Sequence, residues 1–83
     1  MTTDQIIQTK AALNALHKVG RLQEKTLLTH VEIEQCKPLT TTAGTLLVRS
    51  LLDNKWVGSY DDPVTEVTYY VITPEGRNAL ATM

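Results

Sequence analysis

LTHVEIEQCKPLTTTAGTLLVRSLLDNKWV, residues 28–57, is the stretch that decides how this chain folds. Lys37-Pro38 interrupts it, because the residue before a proline avoids helical geometry. Upstream of the break, Thr29-His30-Val31-Glu32 matches an S/T-x-x-E capping box. In that box the threonine hydroxyl accepts from the N3 amide while the glutamate reaches back to the cap amide. The match predicts a short helix from Thr29 to about Gln35. Downstream, Leu39-Thr40-Thr41-Thr42 restarts the chain, with Thr40 or Thr41 as N-cap. At about 100° per residue, Ala43, Gly44, Leu47, Val48 and Leu51 point one way, and Thr42, Thr45, Leu46, Arg49 and Asp53 the other. Leu52 sits at the boundary. This helix runs out near Asn54-Lys55, and Trp56 to Tyr60 reads as a strand.

A second stretch, YYVITPEGRNAL at residues 69–80, completes the pattern. Asp61-Asp62-Pro63 is turn chemistry. Val64 to Ile72 is β-branched and aromatic, as suits a strand, with Tyr70 and Ile72 on one face and Tyr69 and Val71 on the other. Thr73 can cap a last helix that has Pro74 at N1 and Glu75 in its first turn. Towards the N-terminus, Asp4 to Val19 reads as a helix capped by Thr3 or Asp4 and closed by Gly20. Ile6, Leu13 and Leu16 fall on one stripe with Thr9 and Ala12, while Ile7 and Ala11 lie off it. Arg21 to Lys25 reads as a polar loop and Thr26-Leu27-Leu28 as a short strand. The expected order is helix, short strand, helix, helix, strand, strand, helix.

The chain has 83 residues, enough for one domain with a modest core. No apolar run approaches the roughly 20 residues that a membrane helix needs. The polar start, MTTDQIIQTK, does not read as a signal peptide, so the expectation is a cytoplasmic protein with no membrane partner. Lys plus Arg number 8 and Asp plus Glu 9, giving a net charge of -1. That balance counts against tight, purely electrostatic binding to nucleic acid, although it allows a local basic patch. Cys36 stands alone, so no internal disulfide forms. His17, His30 and Cys36 are scattered, lack the paired spacing of a zinc site, and form no acid–histidine–nucleophile set. No glycine-rich phosphate loop exists. No enzyme, metal or cofactor is expected.

The order of elements and these residues resemble the winged-helix DNA-binding domains of the MarR and PadR regulator families. Leu28-Thr29, Glu32-Ile33, Leu39-Thr40 and Trp56-Val57 fall at the family spacing without a gap, and Ile72-Thr73-Pro74-Glu75-Gly76-Arg77 is similar to the wing exit. The resemblance spans about residues 28–80. It departs at Glu34, where alanine is usual, at Gly44, where a core valine is common, and at Leu46, often arginine or another polar residue. Asp61-Asp62 also replaces a wing-tip arginine. The resemblance implies an α+β fold: one winged-helix domain over 1–83, with the helix-turn-helix at about 29–54, the wing at about 56–72 and a C-terminal helix at about 74–82.

It also implies duplex DNA as partner and a role as a small transcriptional regulator. The third helix would then enter the major groove. Thr40, Thr41, Thr42 and Thr45 can meet phosphates or base edges, and their methyls can meet thymine. The amides at Thr41 and Thr42 suit a phosphate. Arg49 can hold a guanine or a phosphate, Lys37 and Lys55 can add backbone contacts, and Arg77 lies far back. The blander reading leaves the threonines as caps and Arg49 as a solvated side chain. The alternative partner is a protein, met through Leu46 beside Leu52 and an acidic wing of Asp61, Asp62 and Glu66. Trp56 and Tyr70 are expected to close the core, with Tyr60 and Tyr69 partly exposed. A homodimer would draw on Ile7, Ala11 and Ala81 to Met83.

Overall fold

In the computed structural model, which describes residues 2–83, the chain runs α1 (Thr3–Val19), β1 (Arg21–Leu22), α2 (Glu24–Gln35), α3 (Thr41–Asp53), β2 (Val57–Asp61), β3 (Thr68–Ile72) and α4 (Pro74–Thr82). The expected order is present, with several starts moved. Helix α1 opens on a capping box one residue earlier than expected. The Gln5 amide donates to the Thr2 hydroxyl at 3.2 Å and the Thr2 amide to Gln5 Oε1 at 2.8 Å. Gly20 ends the helix at φ 98°, a left-handed conformation that glycine adopts without strain. Thr9, Ala12, Leu13 and Leu16 are buried as the stripe requires. Ile6 is not: residues 2–7 are all exposed, so no neighbour covers the stripe over the first turns.

The expected strand at Thr26 to Leu28 and the capping box at Thr29 are both corrected. Helix α2 begins five residues earlier, at Glu24, and Leu27 and Val31 bury on one of its faces at helical spacing. Thr29 lies inside the helix and its hydroxyl donates to the Lys25 carbonyl at 2.9 Å, a bond that satisfies a mid-helix threonine. Glu32 reaches forward instead of back, accepting from the Leu39 amide at 2.9 Å across the inter-helix turn. Cys36 caps α2 in the left-handed conformation at φ 59°. Gln35 ties the turn on both sides, donating to the Lys37 carbonyl at 2.9 Å and accepting from Gln8 Nε2 on α1 at 3.1 Å.

Helix α3 follows the expected reading. Thr40 is the cap, and Gly44, Leu47, Val48 and Leu51 are buried while Thr42, Thr45, Leu46, Arg49 and Asp53 are exposed. Arg21 and Leu22, expected in a polar loop, instead form β1, two residues long, which pairs antiparallel with β3 at Arg21↔Val71 and Leu22↔Tyr70. The sheet order is β1-β3-β2, and β2 pairs with β3 from Val57↔Ile72 to Asp61↔Thr68. The second wing strand starts at Thr68 rather than Val64. Asp62 Oδ1 accepts from the Val64 and Thr65 amides at 2.8 and 3.4 Å, which curls the intervening residues into a turn. Leu13, Leu16, Leu27, Val31 and Leu51 form the centre of the core, with Trp56, Tyr70 and Ile72 packed against it.

The wing exit is fastened to the end of α3. The Thr73 hydroxyl donates to the Lys55 carbonyl at 2.6 Å, the Thr73 amide donates to the Trp56 carbonyl at 3.0 Å, and the same hydroxyl accepts from the Gly76 amide at 3.0 Å. Pro74 at the first helical position donates no hydrogen bond and none is needed there. One threonine thus joins three elements: a three-helix core with its helix-turn-helix, a β2–β3 wing extended by β1, and a C-terminal helix. No helix is long and apolar enough to cross a membrane among the described residues.

Candidate functional site

Helix α3 presents its outward face because its other face is committed to the core. Thr40 spends its hydroxyl on capping, accepting from the Ala43 amide at 3.0 Å. The amides of Thr41 and Thr42 lie in the first turn, where an α-helix offers no internal acceptor, and both residues are exposed. Thr45 and Arg49 follow on the exposed side. The two ion pairs among the described residues are Arg21–Asp62 and Lys37–Asp4, so neither Arg49 nor Lys55 has an acidic partner. Lys37 does, with Asp4 at 3.7 Å, although both side chains remain more than half exposed. Lys55 sits beyond the far end of α3 with φ 59°.

The structure therefore gathers Lys37, Thr40, Thr41, Thr42 and Thr45 about the start of α3 and sets Arg49 two turns along. Lys55 lies at the opposite end, roughly 20 Å away at 1.5 Å per residue. Arg77 is exposed on α4. Leu46 is 54% exposed and lines a groove of about 270 Å³ between α1 and α3, together with Asp4, Gln8, Ala43, Leu47 and Ser50. Leu52, its expected companion, is 36% exposed.

The wing contains a constellation that the sequence reading missed. Arg21, from β1, lies over the Tyr69 ring with its guanidinium carbon 4.2 Å from the centroid, donates to the Tyr60 hydroxyl at 2.9 Å, and reaches Asp62 at 3.5 Å. The Tyr60 and Tyr69 rings are 5.9 Å apart. The Tyr60 hydroxyl, more than any other neighbour, holds the Arg21 pKa above its ordinary value. The Val64 and Thr65 amides, and then Arg21, hold the Asp62 carboxyl below the ordinary aspartate range. Asp61 accepts from the Thr68 hydroxyl at 2.6 Å, and Glu66 stands exposed at φ 59°. The turn is thus ordered by its own carboxylates, and its outer charge is negative. His17 is exposed on α1 and His30 is half-buried on α2.

No family model and no curated protein matches this chain. Solved structures do. A transcriptional regulator from Clostridium thermocellum superposes with a TM-score of 0.77 at 23% identity, over 99% of this chain and 82% of that one. F93 from STIV, a winged-helix DNA-binding protein, gives 0.70 at 20% identity, over 88% of this chain and 78% of its own. RosR of H. salinarum gives 0.74 at 17%, over 99% and 69%. These likenesses span nearly the whole chain, and with the helix-turn-helix and the three-stranded wing they establish its fold as a winged helix-turn-helix.

Proposed function

We propose that the chain binds duplex DNA through α3 and acts as a small transcriptional regulator. The observation that carries this reading is the outward face of α3: exposed threonines around first-turn amides, followed by an Arg49 that no carboxylate neutralises. Amides and hydroxyls at a helix start suit a phosphate or a base edge, and arginine suits guanine or a phosphate. The reading draws support from neighbours described as a transcriptional regulator and as a winged-helix DNA-binding protein. Lys37 and Lys55 would flank the helix on the phosphate backbone.

The test is an amide chemical-shift titration with a mixed-sequence duplex, at low and then physiological salt. Shifts concentrated on Thr40 to Arg49 that weaken as salt rises support the reading. An absence of shifts at low salt overturns it. Arg49→Ala should weaken binding and leave the fold intact, since the side chain is exposed; unchanged affinity removes Arg49 from the interface.

A second reading, a protein-interaction module, is favoured by one observation: Leu46 and an acidic wing tip are both exposed. An exposed leucine suits an apolar contact, and the negative wing tip suits a basic protein partner. Leu46→Glu should then abolish partner binding, and unimpaired capture would count against this reading.

A further inference from the structure

We propose that α3 reads thymine through its C5-methyl groups, and that Leu46 sets this preference. The inference rests on the DNA-binding reading above and names the chemistry of its target. Thr42, Leu46, Arg49 and Asp53 recur at i, i+4, i+7 and i+11, so they form one stripe along α3, opposite Gly44, Leu47, Val48 and Leu51. Leu46 is 54% exposed in the middle of that stripe.

A leucine on a solvated surface is ordinary. A leucine at the centre of a face that enters the major groove is not neutral, because most of what the groove presents is hydrogen-bonding edge. Covering such edges with an apolar side chain strips their water and returns no bond. The thymine C5-methyl is the apolar group that a base pair shows in this groove, and it matches leucine. Thr42 stands one turn before Leu46 and Thr45 adjoins it; both are exposed, and each carries a methyl beside its hydroxyl. Arg49 is the one cation of the stripe, so hydrogen-bonded readout by a charged fork is confined to a single step. Asp53 ends the stripe with a negative charge that phosphates repel. The stripe therefore has a direction: Thr42 to Arg49 goes into the groove, and the Asp53 end stays at its rim, where Lys55 rather than Asp53 faces the backbone.

The experiment compares duplexes of equal length made of alternating d(A-T) and alternating d(A-U). They carry the same phosphates and the same hydrogen-bonding edges, and differ by the methyl. Alternating d(G-C), with and without 5-methylcytosine, repeats the contrast on the other base pair. Binding is read by fluorescence anisotropy at low salt. The expected result is tighter binding to d(A-T) than to d(A-U) by about fourfold for each methyl covered, and a parallel gain from 5-methylcytosine. Leu46→Ala should erase both differences without changing the salt dependence, and circular dichroism should show an unchanged fold. Equal affinity for d(A-T) and d(A-U) overturns this inference and leaves DNA binding standing. A preference that survives Leu46→Ala overturns the assignment to Leu46. Failure to bind any of the duplexes overturns the DNA reading and this inference together.

Discussion

Two glycines show how far one hydrogen atom can matter. A Cβ on Gly76 would lie 2.1 Å from the Trp56 carbonyl oxygen and 2.8 Å from Ile72 Cγ1. The carbonyl cannot retreat, because it accepts the Thr73 amide that closes the wing. Gly76→Ala should therefore destabilise the protein by about 2–3 kcal/mol, even after the gain in helix propensity, with α4 pushed away from the α3–β2 corner. On Gly44 a Cβ would meet Leu28 Cδ1 at 3.0 Å, the end of a flexible and half-buried side chain. Gly44→Ala should fall within about 1 kcal/mol of neutral, since the helix gains about what the Leu28 adjustment costs. Urea midpoints at unchanged m-value distinguish the two; equal losses would mean that the backbone at Trp56 yields as readily as a leucine tip.

The wing is an element held by charge at its turn, and its pH response follows from the Asp62 carboxyl. The Val64 and Thr65 amides and Arg21 favour the ionised form, so this carboxyl binds a proton less readily in the folded protein than in the unfolded chain. The stabilisation is present above the ordinary aspartate range and is lost as pH falls through about 4 and below. Hydrogen exchange should speed up at residues 61–67 over that window before it does in α1 or α2. Asp62→Asn, which keeps an acceptor oxygen but has no charge to lose, should flatten the response. A wing that loosens equally in both proteins would remove Asp62 as the cause. The turn at Asp61-Asp62-Pro63 is legible in the sequence, but the Arg21 contacts are not: Arg21 is 39 residues from Tyr60 and β1 is two residues long, too short for any periodicity. The start of α2 is hidden from the sequence for a local reason. Its true cap, Gln23, makes no side-chain cap bond, whereas Thr29 to Glu32 imitates a box that Thr29 and Glu32 spend on other partners. Helix α3 and the Thr73 cap were legible because their signals are local: a threonine before an amphipathic run, and a proline at the first helical position.

Across the whole molecule, charge decides how strongly and in what number the chain can sit on DNA. The net charge is -1, Lys37 shares its charge with Asp4, and the wing tip adds Asp61, Asp62 and Glu66. Lys37, Arg49 and Lys55 lie on and beside α3, and Lys25 of α2 lines the groove against its first turns, so these cations let one chain neutralise about four phosphates. Counterion release then gives a slope of log K against log salt of about -4 for one chain, and about -7 if two copies bind side by side. The slope therefore counts copies without assuming how they pair. Glu66→Lys changes the balance from -1 to +1 at an exposed position on the wing. If the wing lies beside the phosphates, this substitution should tighten binding several-fold at low salt, steepen the slope by about 1 per chain, and lose its effect as salt screens the contact. An unchanged slope with unchanged affinity would place the wing away from the backbone and leave α3 as the sole contact.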